Sequence, residues 1–261
     1  MHVDSRRDGT AVWRVRLERG DAEETLLDPD GVARLAEALR EAEAAPECRV
    51  IVLEGTPGSF CKGMDLAFAV AHPAEAREGV RGFARGLLAL RESTRVVIAA
   101  VDAQVAGGGV GLAAAADIAL ATTASTFSLP ELVLGLLPAV VLPVLLERMP
   151  PQKARAIALG GTVDARSAVR LGLIDRRVAG PAELDAAVRA TIKHVLRCHP
   201  AAVAGLKRLS REQQALDLRR ALDLGADRTV EILDDREALR HIGAFLGGES
   251  PPWWAIGGRR R

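Results

Sequence analysis

Apolar and polar positions alternate over residues 12–17, the period of a strand at a sheet edge or half exposed to water. Asp28-Pro29-Asp30-Gly31 reads as a turn or helix start, and residues 32–45 carry apolar side chains at helical spacing. Residues 50–53 form a short buried strand that ends at Gly55, and 56–62, with Pro57 and Gly58, form a loop. Residues 75–91 read as a helix in spite of their glycines. Residues 96–101 are a second buried strand, which leads into Gly107-Gly108-Gly109 and an alanine-rich stretch long enough for a helix. Two short strands follow at 118–121 and 126–128, and helix dominates 138–159. Asp164 caps a helix that stops near Gly172, and 173–178 return as a strand. Beyond Pro181 the pattern is almost all helical, with stops near Pro200 and Gly225. Alternating strands and helices over the first two thirds define an α/β class. The helical last quarter reads as a separate layer that covers a site or makes an oligomer interface.

Composition narrows the partners. The 261 residues suffice for one large domain, or a domain with an appendage, and 49% are apolar. A net charge of +1 gives no general pull toward nucleic acid or acidic membrane. The helix at 32–45 sets only Arg34 and Arg40 against Glu37, Glu41 and Glu43, so it carries no basic stripe. The terminal Arg259-Arg260-Arg261 reads as a solvated end. The longest apolar stretch, 132–146, is broken by Pro138 and Pro143 and is shorter than the roughly 20 residues of a membrane helix. No signal peptide is visible at the N-terminus, so a cytoplasmic location is the expectation. Three scattered cysteines, Cys48, Cys61 and Cys198, make neither a disulfide framework nor a zinc site, and no metal cluster or phosphate-binding loop appears.

The candidate chemistry lies between Val101 and Pro138. Glycines let a backbone approach a ligand closely, and a helix N-terminus presents free N–H groups with a partial positive charge. Together they suit an oxygen that gains negative charge during a reaction. Glu131, after Pro130, is a carboxylate able to move a proton nearby. These residues resemble the crotonase (enoyl-CoA hydratase/isomerase) superfamily from about Trp13 to the C-terminus. Ser59-Phe60-Cys61-Lys62-Gly63-Met64-Asp65-Leu66 is similar to its first oxyanion loop and Gly107-Gly108-Gly109 to its second. Phe127-Ser128-Leu129-Pro130-Glu131, followed by Gly135-Leu136-Leu137-Pro138, is similar to its catalytic-glutamate segment. Gly161-Thr162-Val163-Asp164-Ala165 through Leu171-Gly172-Leu173-Ile174-Asp175 matches a structural stretch.

The resemblance implies a crotonase-like ββα spiral over residues 1–198 and a helical trimerisation region over 199–261, assembled as a homotrimer or a dimer of trimers. It implies an acyl thioester on CoA or an acyl carrier protein as substrate, and no cofactor. Its two oxyanion N–H groups fall on Met64 and Gly108, and its acid–base carboxylate on Glu131. Phe60, Cys61, Lys62, Gly107, Gly111 and Leu129 are the expected substrate-binding residues. Cys61, with no histidine near it in sequence, reads as pocket lining rather than nucleophile. Asp65 and Asp117 read as loop anchors, His72, His194 and His199 as surface or structural, and Trp253-Trp254 as packing.

One departure matters. Hydratases of the family carry a first glutamate two residues after the glycine triplet, and here that position is Gly111. Two subfamilies fit a single carboxylate: enoyl-CoA isomerases and the dehydratases of polyketide β-branching cassettes. The latter are similar in finer detail, through Phe60-Cys61 with Gly63-Met64-Asp65, the run from Ala106 to Gly111, and Phe127-Ser128-Leu129 with Glu131-Leu132 and Gly135-Leu136-Leu137-Pro138-Ala139, while Val140-Val141-Leu142-Pro143 replaces the small glycine-rich stretch of fatty-acid hydratases. The β-branching enzymes dehydrate a 3-hydroxy-3-methylglutaryl group on a carrier protein, whose free carboxylate would want a cation such as Lys62, Arg81 or Arg85. A non-catalytic trimer that keeps the fold is the alternative from another class, against which the retained Glu131 argues.

Overall fold

The computed structural model describes residues 1–18, 24–56 and 58–214, then 220, 222, 227, 236–237, 240–241, 244, 247–250 and 252–253. The expected helix stop at Gly225, Trp254 and the terminal arginines lie outside the described residues. Contacts divide the chain into a unit of residues 1–192 and a unit of 193–261.

In chain order the elements are β1 (His2–Asp8), β2 (Val12–Glu18), α1 (Pro29–Ala44), β3 (Val50–Gly55), α2 (Leu66–Ala71), α3 (Pro73–Glu92), β4 (Val96–Val101), β5 (Gln104–Ala106) and α4 (Gly108–Ala115). They continue with β6 (Ile118–Thr122), β7 (Thr126–Ser128), a 3₁₀ turn (Pro130–Leu134), α5 (Leu142–Arg148), α6 (Pro151–Gly160), β8 (Val163–Asp164), α7 (Ala165–Leu171), β9 (Arg176–Val178), α8 (Pro181–Val195) and α9 (Pro200–Gln214).

A six-stranded sheet runs β1-β2-β3-β4-β6-β9, parallel except for β1. The strand expected at 12–17 is half buried but not at the edge, because β1 pairs antiparallel along its whole length. The charges of β1 conceal a strand in the sequence and suit an edge, where they oppose pairing with another chain. Within β2, Val15 and Leu17 enter the core, while Arg14 and Arg16 alternate to the opposite face and both bond Glu54 of β3, at 2.6 and 2.8 Å. The all-buried run of β4 sits between β3 and β6, as a strand covered on both faces should.

Local signals fix the helix starts. Asp28 caps α1 by accepting from Gly31 N at 2.5 Å, and Asp164 caps α7 by accepting from Ser167 N at 2.8 Å. Gly172, at φ +87°, takes the left-handed conformation that ends α7. The apolar stretch at 132–146 is no single helix: it holds the end of the 3₁₀ turn, an irregular stretch through Pro138, a turn at 139–141 and most of α5. Among the described residues no helix is long and apolar enough to cross a membrane.

A second, three-stranded sheet, β5-β7-β8, positions the site. β5 and β7 are parallel neighbours, with Ala106 opposite Ser128. Their ends therefore deliver Gly107-Gly108 and Pro130-Glu131 side by side. The segment through Cys61 bridges the other side of β5, pairing with Val105, and Ala106 N donates to Cys61 O at 3.1 Å.

In the C-terminal unit, the Trp253 ring packs edge-on against His199 and His241 and its Nε1 donates to Arg197 O at 3.0 Å.

Candidate active site

Two backbone N–H groups meet where these segments converge. Leu27 N donates to Gly63 O at 2.7 Å and Asp65 N to Leu27 O at 3.1 Å. Strand alternation therefore turns the Met64 N–H away from Leu27. The Gly108 N–H opens α4, where a first-turn donor has no partner one turn back. Neither N–H has an acceptor among the described residues. Glycine is required at Gly63: its φ is +88°, and a Cβ there would lie 3.1 Å from Ala106 O and 3.2 Å from Gly108 N. That absence of a side chain lets the two amide-bearing segments touch.

Glu131 stands beside them. Its segment leaves β7, and the 3₁₀ turn closes at Gly135, φ +72°, with Leu136 N donating to Glu131 O at 2.8 Å. A Cβ on Gly107, itself at φ +49°, would be 3.1 Å from Glu131 Oε1. Glu131 Oε2 is buried and has no hydrogen-bond partner among the described residues. Burial raises the carboxyl pKa above its usual range, and the residue's own backbone N–H offsets only part of that shift. A buried carboxylate oxygen without a partner is costly, and perturbed acids of this kind mark functional clefts.

The carboxylate and both amides border a cavity of about 310 Å³. Its walls are mostly apolar: Leu27, Phe68, Val80, Phe83, Leu136, Leu137, Pro138 and Val141. A larger cavity, about 520 Å³, opens elsewhere among Arg14, Arg16, Glu54 and Asp102. Its charges neutralise one another, since Arg14 bonds Asp8 and Glu54 and Arg16 bonds Glu54. Of these two, the smaller cavity combines free donors with a carboxylate oxygen that has no partner among the described residues. It can polarise a carbonyl and move a proton at the adjacent carbon.

Met64, Gly107, Gly108, Glu131 and Lys62 line this cavity. The expected contacts from Phe60, Cys61, Leu129 and Gly111 differ: all four are buried behind the wall and absent from the cavity surface. Phe60 and Cys61 anchor the first amide segment, and burial pushes the Cys61 thiol up to about 12, so it stays neutral. At Gly111 a side chain would meet Val141 Cγ2 at 3.2 Å and Leu87 Cδ1 at 3.4 Å. Apolar atoms thus fill the place of the family's first glutamate.

The three candidate cations are all engaged. Lys62 Nζ donates to Glu24 Oε1 at 2.5 Å, and Arg81 and Arg85 pair with Glu78 at 3.6 and 2.9 Å. Asp65 caps α2 through Phe68 N at 2.9 Å, and Asp117 accepts from Val97 N at 2.8 Å, both anchoring loops as expected. His72 stacks on Phe68. Sequence reasoning missed α2 and the wall residues Phe68 and Phe83, and it named Val141 only within a subfamily tract, not as cavity wall. The Asp65 cap was the available signal for α2, but six residues are too few to show a helical period.

A crotonase-type fold with two free amides beside Glu131 defines a class of thioester enzymes, and comparison agrees. The family model for enoyl-CoA hydratase/isomerase matches residues 7–255, and the chain belongs to that family. It is similar to the carnitinyl-CoA dehydratase of Proteus mirabilis, 31% identical over 97% of both chains. It is equally similar to the bacillaene synthase dehydratase PksH of Bacillus subtilis, 31% identical over 79% of this chain and 78% of that one. Among solved structures, an enoyl-CoA hydratase/isomerase from Marinobacter aquaeolei superposes with a TM-score of 0.87 at 27% identity, covering 97% and 98% of the two chains. Pseudomonas aeruginosa AtuE gives 0.85 at 30% identity, covering 97% and 99%. The chain is an enzyme of the crotonase superfamily, and its named relatives are dehydratases and hydratases, which are lyases.

Proposed function

We propose that this enzyme removes water from a 3-hydroxy-3-methylglutaryl-type thioester on an acyl carrier protein, as in polyketide β-branching. The observation that carries the reading is Glu131, whose Oε2 has no partner among the described residues while the other cavity carboxylates, Asp28 and Asp65, cap helices; it stands beside the Met64 and Gly108 amides, and Val141 packs against Gly111, the position of the family's first glutamate. The thioester oxygen accepts from both N–H groups, which bind the enolate more strongly than the neutral carbonyl and so lower the barrier. Glu131 takes the C2 proton. The enolate then expels the C3 hydroxyl, which leaves as water with the proton that Glu131 returns. The carboxylate is regenerated and no second group is consumed. Lys62 is the cavity-lining cation available to the acyl carboxylate, which would displace Glu24.

Dehydration of a carnitinyl-type CoA thioester is the second reading. It is supported by equally identical relatives over more of the chain, and by Asp28, Asp65 and Phe68 in the cavity wall, groups that attract a quaternary ammonium. Mass spectrometry separates the two. Loss of one water from 3-hydroxy-3-methylglutaryl carrier protein, with none from carnitinyl-CoA, supports the first reading; the reverse supports the second. Movement of a double bond in a 3-enoyl-CoA, with neither dehydration, would establish an isomerase.

A further inference from the structure

α4 leads inward from the Gly108 amide, and Gly111 follows three residues later on the same helix face. Gly111 is buried and has no side chain to fill its surroundings. Val141 fills them: its Cγ2 and Cγ1 lie 3.2 and 3.6 Å from where a Gly111 Cβ would be. Val141 is 4% exposed and belongs to the hydrophobic core, yet it also forms part of the cavity wall. It is firmly placed. Its N–H donates to Pro138 O at 3.1 Å, its carbonyl accepts from Leu145 N at 3.2 Å, and a β-branched side chain has little rotamer freedom.

Glu131 and Val141 therefore mark the two ends of one helical turn. The carboxylate adjoins Gly107 and the valine methyls adjoin Gly111. A carbonyl held at the Gly108 N–H would set its C2 and C3 along that turn, about 5 Å long, if the acyl chain runs between the two. The reacting bond then has an acid–base group toward one end and an apolar surface toward the other. An alkyl branch on C3 suits that surface.

We propose that Val141 is the specificity-determining residue of this site: standing in the place of a second carboxylate, it receives the C3 alkyl branch and selects tertiary 3-hydroxyacyl thioesters over unbranched ones. The inference rests on the dehydration reading above.

The test compares pantetheine thioesters of 3-hydroxybutyrate and of its 3-methyl and 3-ethyl homologues in wild type, V141A and V141T. Ratios of kcat/KM within one preparation do not depend on its folded fraction. The wild type should favour 3-methyl over unbranched substrate by about tenfold or more, the scale of one methyl group in a fitted pocket. V141A should raise the 3-ethyl to 3-methyl ratio about tenfold. V141T, of the same shape but with a hydroxyl, should reduce the preference for 3-methyl over unbranched substrate by a similar factor. Calorimetric Kd ratios for the matching enoyl thioesters report the same selectivity without turnover. Turnover with ratios unchanged within twofold in both variants would overturn the role of Val141 and leave the dehydration reading standing. Shifted Kd ratios with no dehydration of any substrate would do the opposite.

Discussion

Glu131 holds a buried carboxylate oxygen with no partner, and Gln keeps that shape without the base. Glu131→Gln should therefore cut kcat by about 10²–10⁴-fold while thioester Kd changes little. The raised pKa gives two further outcomes. Activity that needs the ionised base should fall as pH drops through a value above the ordinary 4.5 of a glutamate. Stability runs the other way. The folded state holds this proton more tightly than the unfolded chain, so the folded state is penalised as pH rises from 4.5 through the folded pKa. The Gln variant should match or exceed wild type in Tm at pH 7, and the difference should shrink on acidification toward 4.5. A Gln variant less stable at pH 7 than at low pH, relative to wild type, would contradict the desolvation argument. At this scale sequence and structure divide plainly. That Glu131, Met64 and Gly108 meet at one cavity was legible from the family resemblance, whereas Val141 entered only as part of a subfamily tract and lies thirty residues from the glycine it packs against.

The site at the level of elements is a junction of three chain segments, kept close by missing side chains. At Gly109 a Cβ would lie 2.1 Å from Cys61 O, a backbone atom that cannot yield without moving the first amide segment. Gly109→Ala should destabilise the protein by about 3 kcal/mol or more, at the upper end of overpacking costs, and should abolish activity in whatever still folds. Equal Tm for variant and wild type would refute that close approach. α2 gives a gentler test. Its Asp65 cap bonds Phe68 N, and Phe68 belongs to the cavity wall. Asp65→Ala should cost about 1 kcal/mol and raise KM more than it lowers kcat, because the wall loosens while Glu131 and the Gly108 amide stay in place. β3, β4, α1 and α7 could be read from apolar runs and caps. β1 could not, because a charged edge strand has the composition of a loop.

At the scale of the whole molecule, a carrier protein and CoA would be met by different surfaces. α3 lines the cavity through Val80 and Phe83 and exposes Arg77, Arg81 and Arg85. An acidic carrier protein delivering a tethered acyl chain would meet those arginines. We expect a higher kcat/KM for the carrier-protein thioester than for the matching CoA thioester. The advantage should shrink between low salt and about 0.5 M, where the Debye length is only a few ångströms. Equal efficiency at low salt would favour a CoA substrate. The trimer implied by the family resemblance predicts a solution mass three or six times the 27.6 kDa of one chain, which light scattering measures directly.

The sequence alone determined what depends on neighbours along the chain. Buried apolar runs set β3 and β4, aspartates set the starts of α1 and α7, and motif order brought the superfamily into view. The tertiary structure decided what depends on neighbours across the chain. It placed β2 inside the sheet, moved Phe60, Cys61, Gly111 and Leu129 behind the cavity wall, paired Lys62 with Glu24, and set Val141 against Gly111. The reason is physical. Periodicity and capping act within a few residues, whereas close packing is a relation between atoms that only the folded chain brings within van der Waals reach.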